Sequence, residues 1–568
     1  MSNVVSAAPS SARSRFARHR VSSLGPVAVI VALSLALPVL IVVSSIGGSG
    51  GDTWSHLAST VLPEYVTNSL LLMLGVAAGV MIGGISTAWI TVMCQFPGRK
   101  FFEWALLLPL AVPAYVMAYA YTDLLQFAGP VQSWLRAITG WGGGQYWFPD
   151  VRSLGGAVLM LSLVLYPYVY LLARAAFLEQ SDSMLEVARV CGYGPWGTFR
   201  HVALPLARPG IVAGTALALM EALADFGTVA YFGVPTFTTG IFRAWFSLGD
   251  HVAAAQLSAM LLGFVFLLLA VERFTRRRAS YRNAGHARRL RNVYRLGGLR
   301  AAVALLFCVT PLVLGFALPA LILLKLAWGL GAEQLGARYF KLILNTVTLG
   351  ALTAALAVVL ALVLGYAGRS ARGRAVRLSI KVAGMGYAVP GAVIAVGVLI
   401  PVTRLDHALS ALIHSFTGAR PGLILTGSIV ALVYAYLVRF FALSLQSIEA
   451  GLAKITPNMD SAARSLGLGA TATLLRVHAP LLRRSVLTAA LLVFVDVMKE
   501  LPATFVMRPF NFDTLAVQAY NFAADERLAE AAAPALTIVA VGLLPLLVLS
   551  RMMREASPAV EQVAATAG

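Results

Sequence analysis

Four carboxylates stand inside otherwise apolar stretches: Glu221 and Asp225, then Asp496 and Glu500. The members of each pair are four residues apart, and the second pair repeats the first at an offset of 275 residues. A spacing of four puts both carboxylates of a pair on one helix face. Intramembrane acids are costly and face a cavity or a partner. Two readings fit. The acids can form a lining near the outer mouth of a pathway, suited to a cation, with Glu221 roughly 20 Å above the cytoplasmic start of its helix. Alternatively they are structural ion pairs, with Lys499 on Asp496 or Glu500 and with Arg243 or Arg508 capping the pairs.

The same offset governs the segment that precedes each pair. Between Ser183 and Ile211 stand Glu186, Ala188, Arg189, Gly192, Leu204 and Pro205. The second copy has Ser461, Ala462, Ala463, Arg464, Gly467 and Pro480, and its arginine, glycine and proline each lie 275 residues beyond those of the first. Each copy is a polar island between long apolar runs. That predicts a short cytoplasmic helix pair that receives force from another protein. Ser183-x-x-Glu186 has the spacing of a capping box, and Thr456-Pro457 marks a helix start. Ala188 with Gly192, and Ala463 with Gly467, put small residues on one helix face, where another surface can approach. Pro205 and Pro480 are expected to interrupt or end the helix before the next span. The chain has no Gly-x-x-x-x-Gly-Lys-Ser/Thr phosphate loop, so energy must come from a separate subunit.

These segments sit among elements that composition identifies. The 568 residues are 59% hydrophobic and 12% charged, against about 25% charged in a soluble protein. No charge occurs between Arg20 and Asp52, or between Glu530 and Arg551. Such runs reach or exceed the roughly 20 residues that span a bilayer. The chain therefore reads as an all-α membrane protein of about twelve spans. The first six are expected at 26–46, 67–92, 103–127, 154–178, 208–227 and 252–272. The second six are expected at 299–327, 342–367, 378–402, 423–447, 484–503 and 531–551. Asn68 matches Asn345, and Ala111-Val-Pro113 matches Ala388-Val-Pro390, at an offset of 277. Six spans per repeat is an even number, so the repeats point the same way, with a two-fold axis along the membrane normal.

Arginine-rich loops fix the expected orientation. They make 1–25 a cytoplasmic tail, 26–272 the first repeat, 273–298 a cytoplasmic linker, 299–551 the second repeat and 552–568 a cytoplasmic tail. The net charge of +20 crowds into these loops and does not point to nucleic acid. The first apolar run is too long for a signal-peptide core and is expected to be retained. Cys94, Cys191 and Cys308 are far apart and show no metal or redox spacing. No catalytic cluster is visible, which counts against a membrane enzyme. An ion-gradient-driven secondary transporter is the other rival.

The paired cytoplasmic segments resemble the coupling-loop motif of permease subunits of bacterial ATP-binding-cassette importers. That motif reads Glu-Ala-Ala, then Gly, then Leu-Pro about a dozen residues later. Glu186, Ala188, Gly192, Leu204 and Pro205 match it, as do Ala462, Ala463, Gly467 and Pro480. Val187, Ser461 and Ala479 depart from it. The stretches Ala224 to Gly233, Thr238 to Arg243, Lys499 to Thr504 and Arg508 to Ala516, with the fused layout, are similar to the ferric-iron uptake permeases. The resemblance implies two parallel six-helix type I importer repeats in a bacterial inner membrane, with both termini cytoplasmic. It also implies two ATPase subunits on the cytoplasmic face and a periplasmic ferric-binding protein. It implies no catalytic residue, resident metal or cofactor. Hard oxygen ligands suit Fe³⁺; related permeases carry thiamine or sulfate. The outer loops 129–152 and 229–251 are candidate docking surfaces, or interfacial anchors in the lipid.

Overall fold

In a bilayer every backbone polar group needs a partner within the protein, and a helix supplies those partners within one segment. The described residues are helical for most of their length. The computed structural model describes residues 24–47, 51–180, 182–277, 294–331, 336–370, 374–419 and 421–555. Among them ten helices are long and apolar enough to cross a membrane. One further pair, Arg99–Ala111 with Ala114–Thr139, qualifies only as a span bent by 90°. The chain is an all-α membrane protein. The tails 1–23 and 556–568 and the middle of the expected linker, 278–293, lie outside the described residues.

Three expected spans differ from their predicted form. The third is the bent pair. The ninth starts later than 378: Arg374–Ala383 is a separate amphipathic helix, and the long helix is Gly391–Thr417. Proline explains both. Pro113 and Pro390 stand in extended backbone immediately before their helices, at φ −60° and −57°, because proline has no N–H to continue the preceding turn. The eleventh is the helix Ala479–Met498, set apart from the ten by its three charges, Arg483, Arg484 and Asp496.

The repeat is visible element by element. Leu154–Leu178 matches Ile429–Ala453, and Asp182–Val190 matches Pro457–Ser465, each at 275 residues. The π-turns Phe199–Ala203 and Leu474–His478 match at the same offset. Asn68 Nδ2 donates to the Pro235 carbonyl at 2.9 Å, and Asn345 Nδ2 donates to the Asp513 carbonyl at 3.0 Å. The described end of the linker, Tyr294–Arg295, pairs in parallel with Cys94–Gln95.

Each repeat holds the first helix of the other. Leu24–Ser44 packs against Ala337–Ser370, Arg374–Ala383 and Gly391–Thr417. Gly298–Leu312 and Leu318–Leu330 pack against Leu62–Met93 and Ala114–Leu125 of the first repeat, and against the last helix, Leu528–Glu555. Both exchanged helices seat where a glycine lets backbones close in. A Cβ on Gly397 would meet the Pro38 carbonyl oxygen at 2.5 Å, and one on Gly315 would meet Pro109 at 2.9 Å. Gly397→Val should cost about 1–3 kcal/mol by overpacking and lower the thermal midpoint in detergent. Gly263→Val, with nothing within 4 Å, should leave it unchanged. Equal midpoints for the two variants would mean that the first helix is not held at Gly397.

Candidate functional site

The helix Leu204–Ala224 stops one residue before Asp225, whose backbone is extended at ψ 132°. The chain turns and starts a new helix, Gly227–Tyr231. The first N–H groups of a helix have no partner of their own. Asp225 supplies one. Its Oδ1 accepts from the Thr228 and Val229 N–H groups at 3.0 and 3.2 Å, and its Oδ2 accepts from the Thr228 hydroxyl at 3.0 Å. The second repeat does the same with a longer side chain. Glu500 Oε1 accepts from the Ala503 N–H at 2.9 Å, and Oε2 from the Thr504 N–H and hydroxyl at 3.0 and 2.6 Å. That caps the helix Pro502–Met507.

Between these two breaks lies a cavity of about 120 Å³ whose lining includes Glu221, Asp225, Asp496, Glu500, Arg439 and Lys499, room for several waters. Residues of both repeats surround it. The four acids divide by role. Asp225 and Glu500 are the caps. Asp496 is neutralised by Lys499, Nζ to Oδ1 at 2.7 Å. Among the described residues Glu221 forms its ion pair with Arg439, Nη2 to Oε2 at 3.8 Å, with Lys499 close enough to feel its charge. Arg508 pairs with Asp513 instead of capping an acid pair, and Arg243 lies beside Tyr65. On the Phe226 side, rings from both repeats cluster: Phe226 stacks on Phe242 at 3.7 Å, and Phe505 and Tyr520 stand within 6.0 Å of Phe226. Arg439 is the functional residue that sequence reasoning missed. Its signal was present, as the one charge in the apolar run from Ile429 to Gln446.

The polar segments form the helices Asp182–Val190 and Pro457–Ser465. The Tyr193 N–H donates to the Ala188 carbonyl and the Leu468 N–H to the Ala463 carbonyl, both at 3.0 Å. Gly192 and Gly467 lie at φ +84° and +79°. Each end is thus a Schellman motif with glycine in the left-handed position. Ala188 and Ala463 are buried against their own chain, while Gly192 and Gly467 are exposed, so the alanine and glycine of each copy do not share one outward face. The exposed apolar face carries Met184, Val187, Val190 and Trp196 in the first copy, and Met459, Leu466 and Leu475 in the second. Glu186, Ser461 and Ala462 are exposed. The side chains of Ser183, Arg189 and Arg464 lie outside the described residues. Leu204-Pro205 and Ala479-Pro480 open the next long helices. The prolines therefore follow a π-turn inside continuous helical backbone and do not end the helix, Ala203 and His478 before them having helical φ of −69° and −75°.

The two copies are anchored differently. Asp460 accepts from Arg369 and pairs with His478 Nε2, both at 2.7 Å, while the Tyr366 hydroxyl meets His478 Nδ1 at 3.0 Å. Burial raises the Asp460 carboxyl, but the hydrogen bonds from Arg369 and His478 outweigh it and hold the group below its ordinary range. The first copy has rings at that place: Trp89 packs on Phe177 and Phe199 with centroids 5.5 and 4.9 Å apart, and Gln180 Nε2 donates to the Ala203 carbonyl at 2.9 Å.

Residues 72–281 match the family model of the binding-protein-dependent transport system inner membrane component. The Molybdenum transport system permease protein ModB of Escherichia coli K12 is 33% identical over 201 residues, covering 34% of this chain and 84% of ModB. The chain belongs to that inner membrane component family. A relative that spans this inner membrane component nearly whole is the Fe(3+)-transport system permease protein FbpB 2 of Haemophilus influenzae. It is 25% identical over 528 residues, covering 92% of this chain and 97% of its own. A probable sulfate transport system permease protein, cysT of Marchantia polymorpha, is 25% identical over 199 residues, 34% of this chain and 65% of cysT.

The left-handed glycines of this inner membrane component give a direct test. Gly467→Val should weaken the end of its polar helix by about 1–2 kcal/mol, the cost of a left-handed side chain, and Gly467→Asn by less. Amide hydrogen exchange over 457–468 would read this. Equal protection in both variants would remove the glycine from the helix-ending role.

Proposed function

We propose that this protein is the permease subunit of an ATP-binding-cassette importer that moves ferric iron into the cytoplasm by alternating access. The observation that carries the reading is the cavity between the repeats, where four carboxylates face two cations for a formal charge of −2. Oxygen donors suit a hard cation, and the uncompensated negative charge disfavours an oxyanion such as molybdate or sulfate. The relative that spans both repeats is named for Fe(3+) transport. The oxyanion relatives each align with about a third of this chain.

Two separate ATPase subunits bind the helices Asp182–Val190 and Pro457–Ser465, on the cytoplasmic side. Their Val187, Val190 and Leu466 are 61%, 88% and 81% exposed, an apolar face that the described residues leave uncovered. A periplasmic binding protein delivers iron at the opposite end. Substrate-loaded binding protein and ATP each favour the outward-open state, since only differential affinity shifts such an equilibrium.

Uptake of labelled ferric iron, thiamine and molybdate by cells with and without the gene tests the substrate. A selective loss of iron uptake supports the proposal. A thiamine or molybdate defect with normal iron uptake overturns the substrate and keeps the importer. The ATPase interface is tested separately. Val190→Glu and Leu466→Glu place charges at exposed positions, so each variant should insert normally and lose its ATPase subunits on co-purification. Undiminished co-purification would move the interface elsewhere. Glu221→Gln should reduce iron uptake about tenfold, the effect of losing roughly 1.4 kcal/mol, with the complex intact. Normal uptake would make Glu221 structural.

A further inference from the structure

The two halves of the cavity match in their acids and differ in their bases. Glu221 and Asp225 recur as Asp496 and Glu500. Arg439 and Lys499 do not recur. At the 275-residue offset the first repeat has Val164 and Ala224, and both of these also line the cavity. The two cations are therefore additions to one side of an otherwise two-fold arrangement.

Lys499 is committed to Asp496 at 2.7 Å. Arg439 is not committed in that way. It is 8% exposed, yet its Nε and Nη1 make no hydrogen bond to any of the described residues. Its carboxylate neighbours stand off, Glu500 at 3.6 Å and Glu221 at 3.8 Å. A guanidinium that serves only as a structural clamp makes short, paired hydrogen bonds to its carboxylate. Buried donors left unpaired are costly. Arg439 is thus held between Glu221 of one repeat and Glu500 of the other by charge, without the bonds that would fix it. Glu500 is already spent on the cap of Pro502–Met507. Glu221 is the carboxylate free to change partner.

We propose that Arg439 is a tethered counter-cation that keeps small monovalent cations out of the carboxylate cavity and yields its place beside Glu221 only to a cation of higher charge. This rests on the ferric reading and adds its selectivity device. At equal distance and dielectric, a trivalent ion is attracted to a carboxylate about three times as strongly as a monovalent one. A sodium ion gains from Glu221 no more than the guanidinium already supplies, and it must first shed water. A trivalent ion gains more than it displaces. Without Arg439 the formal charge of the cavity falls from −2 to −3, and each alternating-access cycle would carry whatever cation fills the gap.

The test uses the permease co-purified with its ATPase subunits, in proteoliposomes with ATP and iron-free binding protein, and reads ATP-dependent uptake of radiolabelled sodium. Wild type is expected to stay at the ATP-free background. Arg439→Met should exceed it about tenfold, equivalent to roughly 1.4 kcal/mol, while Arg439→Lys stays at background. Arg439→Met with Glu221→Gln should return to background, because the orphaned carboxylate leaves with its partner. Background uptake in Arg439→Met would overturn the proposal. So would uptake by Arg439→Lys, or a double variant as leaky as the single one, since then packing and not charge has been lost. If Arg439→Met fails to assemble, assembly of the sodium-tight double variant supports the counter-charge role, and its failure to assemble overturns it. Ferric uptake by wild-type vesicles is read separately: its absence would overturn the substrate reading whatever sodium does.

Discussion

A backbone that leaves its helix inside a membrane protein must find new hydrogen-bond partners, and this requirement shapes the centre of the molecule. Leu204–Ala224 and Ala479–Met498 both stop short and restart as brief helices. The freed N–H groups at 228–229 and 503–504 are taken by Asp225 and Glu500. Two of the four intramembrane acids are therefore needed before any solute is considered. Their placement also opens the space in which Glu221 and Asp496 stand. The breaks at Pro113 and Pro390 add a second pair of bends around the same space, so the cavity lies where four interruptions of regular helix converge.

Duplication accounts for the frame, and departures from duplication account for its chemistry. Caps, glycine helix ends, π-turns and the Asn68 and Asn345 bonds all occur twice. Arg439 and Lys499 occur once, opposite Val164 and Ala224. The polar helices depart from symmetry as well. One is fixed by Asp460, Arg369 and His478, and the other leans on Trp89 and its rings. The exchanged first helices act against divergence of the halves. With Leu24–Ser44 seated at Gly397 and Gly298–Leu312 reaching the first repeat, neither half keeps its own packing if the other is removed.

Hydrophobic runs, the 275-residue offset and the paired polar islands were legible in the sequence because each is a local pattern. Gly192 and Gly467 were legible as important but not as what they are. A helix-ending φ is a backbone property, and a small residue at i+4 gives the same letter for either purpose. The carboxylates were legible as a group. Their division was not, since Asp225 as a cap differs from Glu221 as a lining residue only through the break at 225–227, and the apolar run continues across it. The same continuity hid the start of the ninth span at Gly391, where Arg374–Ala383 has an apolar face but does not join the long helix. Arg439 was visible as a lone intramembrane charge. Its meaning depended on knowing that Ile429–Ala453 faces Glu221 of the other repeat, a contact between residues 218 positions apart.

The geometry also bears on how motion at the polar helices reaches the cavity. Leu204–Ala224 and Ala479–Met498 each run from a proline in the first turn, next to a polar helix, to the break that caps the cavity. At 1.5 Å per residue each is a lever of about 30 Å. Each lever begins at a π-turn, Phe199–Ala203 or Leu474–His478, a local widening of the helix often found at functional sites. The second lever carries His478 in that turn, bonded to Asp460 of the polar helix and to Tyr366 of Ala337–Ser370. The first carries ring packing there, with Gln180 Nε2 donating to the Ala203 carbonyl at 2.9 Å. Among the described residues, the polar helix and its lever are joined by a charged side-chain network in the second repeat, and by rings with one hydrogen bond to a backbone carbonyl in the first. Since Arg439, Lys499, Asp496 and Glu500 all belong to the second repeat, the connection built from charged side chains leads to the half of the cavity that carries both cations.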